Sequence, residues 1–269
     1  MTVRICSIAS GSSGNCIYIG DDRTGFLVDA GISCKAILES LKNIGICNSS
    51  IKALLVTHEH SDHIKSAGAI SRKLNIPIYA NSKTWEAMES SLGKIKSENI
   101  KIFETGEEFS MWDACIRPFN IPHDAIEPVG FSFNIKGAKL GIATDLGHFS
   151  HEVKDGLKDS DFVMLESNHD VEMLKAGSYP YFLKRRIMGD NGHLSNDAAG
   201  YAACELVDLG INKIMLGHLS RENNFPQLAY ETVKGIMEEK DIKIGQDVIL
   251  DLAPRSSISK VFAWDNDSL

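Results

Sequence analysis

The stretch THEHSDH, residues 57–63, decides how the rest of this sequence is interpreted. It follows the continuous apolar run IKALLVT (51–57), which predicts a buried strand, and it precedes IKSAGAISRKL (64–74), which predicts a helix. Three histidines and two carboxylates within seven residues seldom serve packing, whereas they are side chains that bind divalent metal ions. The alternative is a solvated polar turn before a helix, and the clustering of ligand types favours a metal site.

The spacing within this stretch divides its side chains between two positions. In an extended loop, residues two apart point the same way, so His58 and His60 can hold one ion while Glu59 points away. Asp62 and His63 lie in the turn into the helix, from which they can reach a second ion nearby. The sequence therefore predicts metal ligands at a strand-to-helix junction.

Short apolar runs that end at glycine or polar residues predict strands along the whole chain. The predicted strands are 3–9, 16–20, 25–31, 51–57, 76–80, 100–104, 108–122, 129–137, 139–145, 162–167, 213–217, 247–252 and 257–264. Helical periodicity, with Ser33 and Ser195 as capping residues, predicts helices over 35–45, 64–74, 82–92, 150–158, 179–188, 197–209 and 226–239. This order suits an α/β (α+β) fold: a four-layer αββα sandwich, with two mixed β-sheets packed face to face, helices outside, and one domain over 1–269.

Composition limits the classes of function. The six cysteines form no CxxC pair, which indicates reduced thiols and a cytoplasmic location. No apolar run approaches the roughly 18 residues of a membrane span, and the N-terminus lacks a signal-peptide pattern, so we expect no membrane contact. The formal net charge of −8 means that a nucleic-acid substrate would need locally concentrated basic residues.

The motif at 57–63 resembles the HxHxDH signature of the metallo-β-lactamase superfamily, and other motifs of that superfamily follow in order. Asp29 ends the apolar run FLVD, and His123 stands in IPHDAIEPVGF. Asp145 ends LGIATD and His218 ends IMLGH. Functional residues in α/β folds lie at the carboxyl ends of strands, so the positions of these side chains are consistent with one site.

The resemblance implies two divalent ions, Zn²⁺ or Mn²⁺, whose shared water attacks the substrate after losing a proton. It also implies that Asp29 supports the ligand histidines from behind and that Asp62 orients the attacking water. The implied ligands are His58, His60 and His123 at one ion, Asp62, His63 and His218 at the other, and Asp145 between them.

The stretch PHDAIEPVGFSF looks like the phosphodiesterase branch of the superfamily, which includes RNase Z and pairs a glutamate with a histidine near the leaving group. Glu166 in MLESNHD and His193 in GDNGHLSND are the candidates, with His193 as the acid that protonates the departing oxygen. A surface acid at a strand end and a polar residue at a helix start are the alternatives for these two positions.

Substrate contacts are expected from a basic run in this acidic chain and from polar residues near the other motifs. The candidates are Lys184, Arg185, Arg186, Arg221, His148, Asn168 and His169. An ordinary solvated helix face is the alternative for the basic run. SGSSGN (10–15) predicts a glycine turn between two strands, whose N–H groups could border a substrate phosphate.

Taken together, these motifs resemble the YycJ/VicX/WalJ group of metallo-β-lactamase-fold proteins. That resemblance implies a metal-dependent DNA exonuclease acting on 5′ ends, with DNA favoured over RNA and no oligomeric state indicated. Two alternatives remain at this point: a small-molecule hydrolase of thioesters or lactams, and a non-catalytic, metal-stabilised regulator linked to a cell-wall two-component system.

Overall fold

The computed structural model of the protein describes residues 2–265. Its first half contains β1 (Thr2–Ala9), β2 (Cys16–Gly20), β3 (Gly25–Val28), α1 (Cys34–Asn43), β4 (Ile51–Leu55), α2 (Ser61–Ile64), α3 (Ala67–Leu74), β5 (Ile78–Ala80), α4 (Ser82–Leu92) and β6 (Ile100–Ile102). Its second half contains β7 (Phe109–Met111), β8 (Ala114–Asn120), β9 (Val129–Ile135), β10 (Ala138–Ala143), α5 (His151–Leu157), β11 (Phe162–Glu166), α6 (Val171–Ala176), α7 (Tyr181–Ile187), α8 (Asn196–Asp208), β12 (Lys213–Gly217), α9 (Pro226–Glu239), β13 (Ile249–Leu252) and β14 (Phe262–Asp265).

The strands form two mixed sheets of seven strands each. The first has the order β14-β1-β2-β3-β4-β5-β6, antiparallel up to β3 and parallel from β3 onwards. The second has the order β13-β12-β11-β10-β9-β8-β7, parallel from β13 to β10 and antiparallel from β10 to β7. None of the helices in the described part of the chain combines the length and apolar character that crossing a membrane requires.

Alternating side chains place a separate apolar core on each face of the sheets. In β11, Phe162 and Met164 pack in the core between the sheets, whereas Val163 and Leu165 pack beneath helices α5, α8 and α9. The other outer core lies under α1, α3 and α4. This explains why the central strands are apolar at nearly every position, and it confirms the predicted αββα sandwich.

Two helical segments differ from the sequence prediction. The helix predicted over 64–74 is interrupted between α2 and α3, where the Ser66 N–H donates to the Ala30 carbonyl at 2.8 Å instead of continuing the helical ladder. Helix α6 was not predicted, although Asp170 caps it by accepting a bond from the Met173 N–H at 2.7 Å. The first difference arises from a hydrogen bond to a distant part of the chain, and the second from a segment of six residues whose helical periodicity is too brief to recognise.

Three strand ends that carry predicted site residues have left-handed backbone. Asp29 follows β3 with φ of 62°, Asp145 follows β10 with φ of 62°, and His218 follows β12 with φ of 56°. Such a conformation in a non-glycine residue costs on the order of 1–3 kcal/mol, so the surrounding structure must enforce it. The turn directs all three side chains away from the sheets into one space.

Backbone bonds fasten the β1–β2 and β3–α1 loops to the THEHSDH segment. The Asn15 N–H donates to the Asp62 carbonyl at 2.8 Å, and the Ala30 N–H donates to the His63 carbonyl at 2.7 Å. Between them, the Gly31 N–H donates to the Asn15 carbonyl at 2.7 Å. The position of Asp62 and His63 therefore depends on close approach of backbone at Gly31.

We expect Gly31→Ala to lower the free energy of unfolding by about 3 kcal/mol, because a Cβ there would stand 1.6 Å from the Asp62 carbonyl oxygen, which is backbone. Urea titration followed by circular dichroism measures this. Gly235→Ala in α9 is the control: its Cβ meets nothing within 4 Å, so a helix-favouring gain of roughly 0.5–1 kcal/mol is expected. Equal midpoints for Gly31→Ala and wild type would contradict the account.

Candidate metal centre

His58, His60 and His123 bring three imidazole nitrogens to one point. His58 Nε2 lies 3.1 Å from His60 Nδ1, which lies 3.3 Å from His123 Nε2. Ligands about 2.0–2.1 Å from a tetrahedral ion stand roughly 3.3 Å from one another. The spacing of these nitrogens therefore fits a single ion.

A second group stands beside the first. Asp62 Oδ2 lies 3.6 Å from His63 Nε2 and 3.7 Å from His218 Nε2. Asp145 lies between the groups: its Oδ1 is 3.8 Å from His123 Nε2 and 3.4 Å from His218 Nε2, while its Oδ2 is 3.4 Å from His63 Nε2. One carboxylate thus faces both histidine groups.

Two buried polar atoms in this cluster lack hydrogen-bond partners. They are Asp145 Oδ2 and His218 Nε2. An unpaired buried polar atom is costly, and these two belong to groups of ligand atoms within 4.8 Å of one another. Oxygen and imidazole nitrogen together suit a divalent ion, so the residues present fit a bound metal.

The histidine nitrogens that face away from the cluster have partners of their own. His63 Nδ1 lies 2.8 Å from Asp29 Oδ2, and Asp29 also accepts bonds from the Thr57 N–H and hydroxyl, each at 2.9 Å. His123 Nδ1 lies 3.1 Å from the Gly192 carbonyl oxygen. These contacts fix the rings so that the opposite nitrogens point at the cluster.

Glu166 contacts two histidines at once. Its Oε1 lies 2.8 Å from His193 Nδ1 and 2.7 Å from His218 Nδ1, while Oε2 accepts bonds from the Leu146 and Leu194 N–H groups at 2.7 and 3.0 Å. Although Glu166 stands among possible metal-binding side chains, both of its oxygens are already engaged. It is therefore placed to orient imidazoles, and its contact with His218 was not anticipated from the sequence.

Charge in the cluster is balanced between neighbours. Burial lowers the pKa of His58 well below its usual value, and the nearby His63 ring adds to this. Burial alone would also lower the pKa of His63, but the carboxylates of Asp145 and Asp29 raise it to about 9. The buried carboxylates thus stabilise positive charge here, which is the electrostatic requirement of a cation site.

The pair of Glu166 and His193 shows the same balance. Burial would raise the pKa of Glu166, yet the adjacent imidazolium of His193 holds it below its usual range. Burial would lower the pKa of His193, yet the Glu166 carboxylate raises it. His193 therefore retains a proton more readily than a free imidazole does.

A cleft of about 320 Å³ opens onto the cluster. Of the predicted substrate-contact residues, Asn168 and Arg186 line it, and Arg186 forms an ion pair with Asp124. Lys184 instead donates to the Lys175 and Gly177 carbonyls at 2.6 and 2.7 Å, which ties α7 to the end of α6.

The remaining predicted contacts lie outside the cleft lining. Arg185, Arg221 and His148 are exposed at the surface, and the His148 ring meets the Asp190 carbonyl at 3.0 Å. His169 is buried, with Nδ1 lacking a partner. These side chains were predicted because they lie close to the motifs along the chain, and the fold places them away from the cleft lining.

Asn15 and several cleft-lining side chains were not predicted from the sequence. Asn15 Nδ2 lies 3.0 Å from His63 Nε2 and 3.4 Å from Asp62 Oδ2. The SGSSGN turn, which contains Asn15, was interpreted through its N–H groups, so its side chain received no role. The overlooked lining residues include Ser12, Tyr179 and Ser220.

Comparison with known proteins agrees with this geometry. Residues 24–219 match the family model described as a beta-lactamase superfamily domain. The chain belongs to the beta-lactamase superfamily. It is 41% identical over 246 residues to exodeoxyribonuclease YycJ of Bacillus anthracis, covering 91% of this chain and 93% of that one. It is 40% identical over 250 residues to exodeoxyribonuclease WalJ of Streptococcus pneumoniae, covering 92% and 93%.

A solved structure shows the same superfamily fold. The metallo-beta-lactamase fold protein YhfI of Bacillus subtilis superposes with a TM-score of 0.72 at 13% identity, over 98% of this chain and 100% of that one. At that identity the likeness concerns the fold alone. Membership of the beta-lactamase superfamily confirms the family predicted from the motifs, and this metallo-hydrolase fold supports a metal-dependent hydrolase.

We expect acidification to weaken folding through His169. Burial lowers its pKa to about 4 in the folded protein, whereas the unfolded value is about 6.5. The unfolded chain binds this proton more tightly than the folded protein does. The stability that neutral His169 contributes is therefore complete above pH 6.5 and is lost as the pH falls towards 4, with a loss of about 2 kcal/mol at pH 5.

Urea unfolding of metal-free wild type and His169→Gln at pH 7 and pH 5 measures this contribution. The variant should lose about 2 kcal/mol less on acidification, since the other histidines are common to both proteins. Equal losses in the two proteins would show that His169 is not held neutral by burial.

Proposed function

We propose that this protein is a metal-dependent exodeoxyribonuclease that removes nucleotides from 5′ ends, with DNA favoured over RNA. The observation that carries the proposal is the 2.8 Å contact between His193, which lines the same cleft as the metal-ligand cluster, and the buried Glu166 behind it. The names of relatives about 40% identical over most of both chains support the same activity.

The proposed ligands divide into two sets joined by Asp145. The nitrogen and oxygen donors suit Zn²⁺ or Mn²⁺, and two ions would be held by two of the four overlapping groups of donor atoms. The sets are His58, His60 and His123 for one ion, and Asp62, His63 and His218 for the other.

Bound divalent ions would supply a water of lowered pKa and offset the charge that develops on the phosphate. The protein's own contribution is placement. Asp62 is half-buried at the cleft, and the neighbouring imidazoles of His218 and His63 overcome the effect of burial to hold its pKa low. Asp62 is thus an anionic acceptor through which the attacking water is oriented.

His193 is the proposed acid for the leaving group. Its Nδ1 is engaged by Glu166, so the proton to be donated is the one on Nε2. A departing alkoxide needs protonation because its pKa is far above 7, whereas a thiolate with a pKa near 8.5 leaves without one. This pair therefore favours phosphodiester over thioester cleavage.

The side chains around the cleft can contact only a short segment of a long anionic substrate. Arg186 at the cleft wall carries the guanidinium type that matches phosphate oxygens, although Asp124 neutralises it in this structure. With a formal net charge of −8, the protein should bind DNA weakly and in a salt-sensitive manner. The six free cysteines support the proposed cytoplasmic location.

Purified protein loaded with Mn²⁺ or Zn²⁺ should release mononucleotides from duplex DNA labelled at the 5′ end. Asp62→Ala should reduce the rate at least about 100-fold, because both a ligand and the water-orienting carboxylate are lost. Exposed Asp197→Ala is the matched control and should digest DNA normally. Intact DNA alongside hydrolysis of a thioester substrate would overturn the proposal.

Variants at the two histidines that share Glu166 should differ in kind. His218→Ala should lose bound metal, measured by elemental analysis after gel filtration, because Nε2 belongs to the ligand cluster. His193→Ala should retain the metal content of wild type but turn over DNA about 10²–10⁴-fold more slowly. Loss of metal from His193→Ala with normal metal in His218→Ala would reverse the assignment.

A further inference from the structure

Helix α7 exposes an unusual amount of aromatic surface. Tyr181 is 75% exposed and Phe182 is 73% exposed, and none of the residues of α7 is buried. A helix in a globular protein normally covers apolar surface with one face. The exposed rings of α7 therefore call for an explanation outside the core.

This helix forms one wall of the cleft over the metal-ligand cluster. Leu183, Arg186 and Ile187 line the cleft from α7, and Tyr179 lines it from the preceding turn. Residues four apart in a helix lie on the same side, so Phe182 stands next to Arg186 at the cleft rim. The exposed ring of Phe182 thus adjoins the wall of the cleft, although it is not part of its lining.

The charge on α7 suits an anionic partner. Arg185 is exposed and has no ion-pair partner among residues 2–265, and it stands one helical turn from Tyr181. Each exposed ring is thereby followed, four residues on, by an arginine. Aromatic rings with cationic side chains beside them match the bases and phosphates of a nucleic-acid strand.

We propose that α7 binds unpaired bases of a DNA strand, with Tyr181 and Phe182 stacking on successive bases and Arg185 contacting the backbone. This inference rests on the proposed nuclease function and adds a preference for single-stranded ends. Base faces are covered in a duplex, so only an overhang or a frayed end can use the two rings.

Binding of oligonucleotides labelled at the 3′ end, measured by fluorescence anisotropy, tests the proposal together with digestion rates. Wild type should favour single-stranded DNA over a strand of equal length with abasic sites at its first four 5′ positions. Phe182→Ala should weaken binding of the normal strand roughly 5- to 150-fold and leave the abasic strand unaffected. Phe182→Trp should restore the preference.

Tyr201→Ala is the matched control, because Tyr201 is a 55% exposed aromatic on α8 and lines a different depression with Cys204 and Lys240. It should bind both strands as wild type does. Digestion of DNA by Phe182→Ala with an undiminished preference for normal bases would overturn the inference and leave the nuclease proposal standing. Base-dependent binding without any digestion would support base stacking on α7 and overturn the nuclease proposal.

A second outcome would give the exposed rings of α7 a different role. If wild type sediments as a dimer and Phe182→Ala as a monomer, with equal DNA binding, the rings serve contact between copies of the chain and the stacking proposal is wrong. A monomer in both cases, with the predicted loss of base preference, supports it.

Discussion

The close burial of imidazoles and carboxylates is the constraint on which the rest of this structure depends. Six histidine and three acidic side chains stand within reach of one another at the strand ends. Taking such groups out of water costs several kcal/mol each unless every charge meets a partner. The fold meets this cost by turning the chain sharply at Asp29, Asp145 and His218, which directs their side chains into the cluster.

The supporting contacts show how the remaining cost is met. Asp29 holds His63, the Gly192 carbonyl holds His123, and Glu166 holds both His193 and His218. Glu166 thereby links the candidate ligand set to the proposed acid through a single carboxylate. A change in charge on His193 therefore acts on His218 through the carboxylate that they share, and the converse also holds.

Much of the fold and cluster could be predicted from the sequence because the signals are local. Apolar runs located the central strands, and the spacing within THEHSDH anticipated that His58 and His60 would share one position. The metal-ligand roles remain predictions, but the side chains implied by the resemblance do come together. Helix α6 escaped notice because six residues carry too little periodicity.

Features that depend on tertiary contacts could not be predicted in the same way. The basic run gave no sign that Lys184 turns towards the end of α6 while Arg186 meets Asp124 across the cleft. Nor could the sequence show that Phe182 stays exposed, since an aromatic residue in a helix is more often part of a core. Lys184 and Arg186 are positioned by polar contacts with residues outside α7, which the sequence of the helix does not reveal.

We propose that two divalent ions occupy the cluster, one on each side of Asp145. Anomalous diffraction from crystals of the Mn²⁺-loaded protein, collected on both sides of the manganese absorption edge, tests it most directly. The account predicts two peaks about 3.5–4 Å apart, one beside His60 and the other beside His218. A single peak, or none within bonding distance of these histidines, would contradict it.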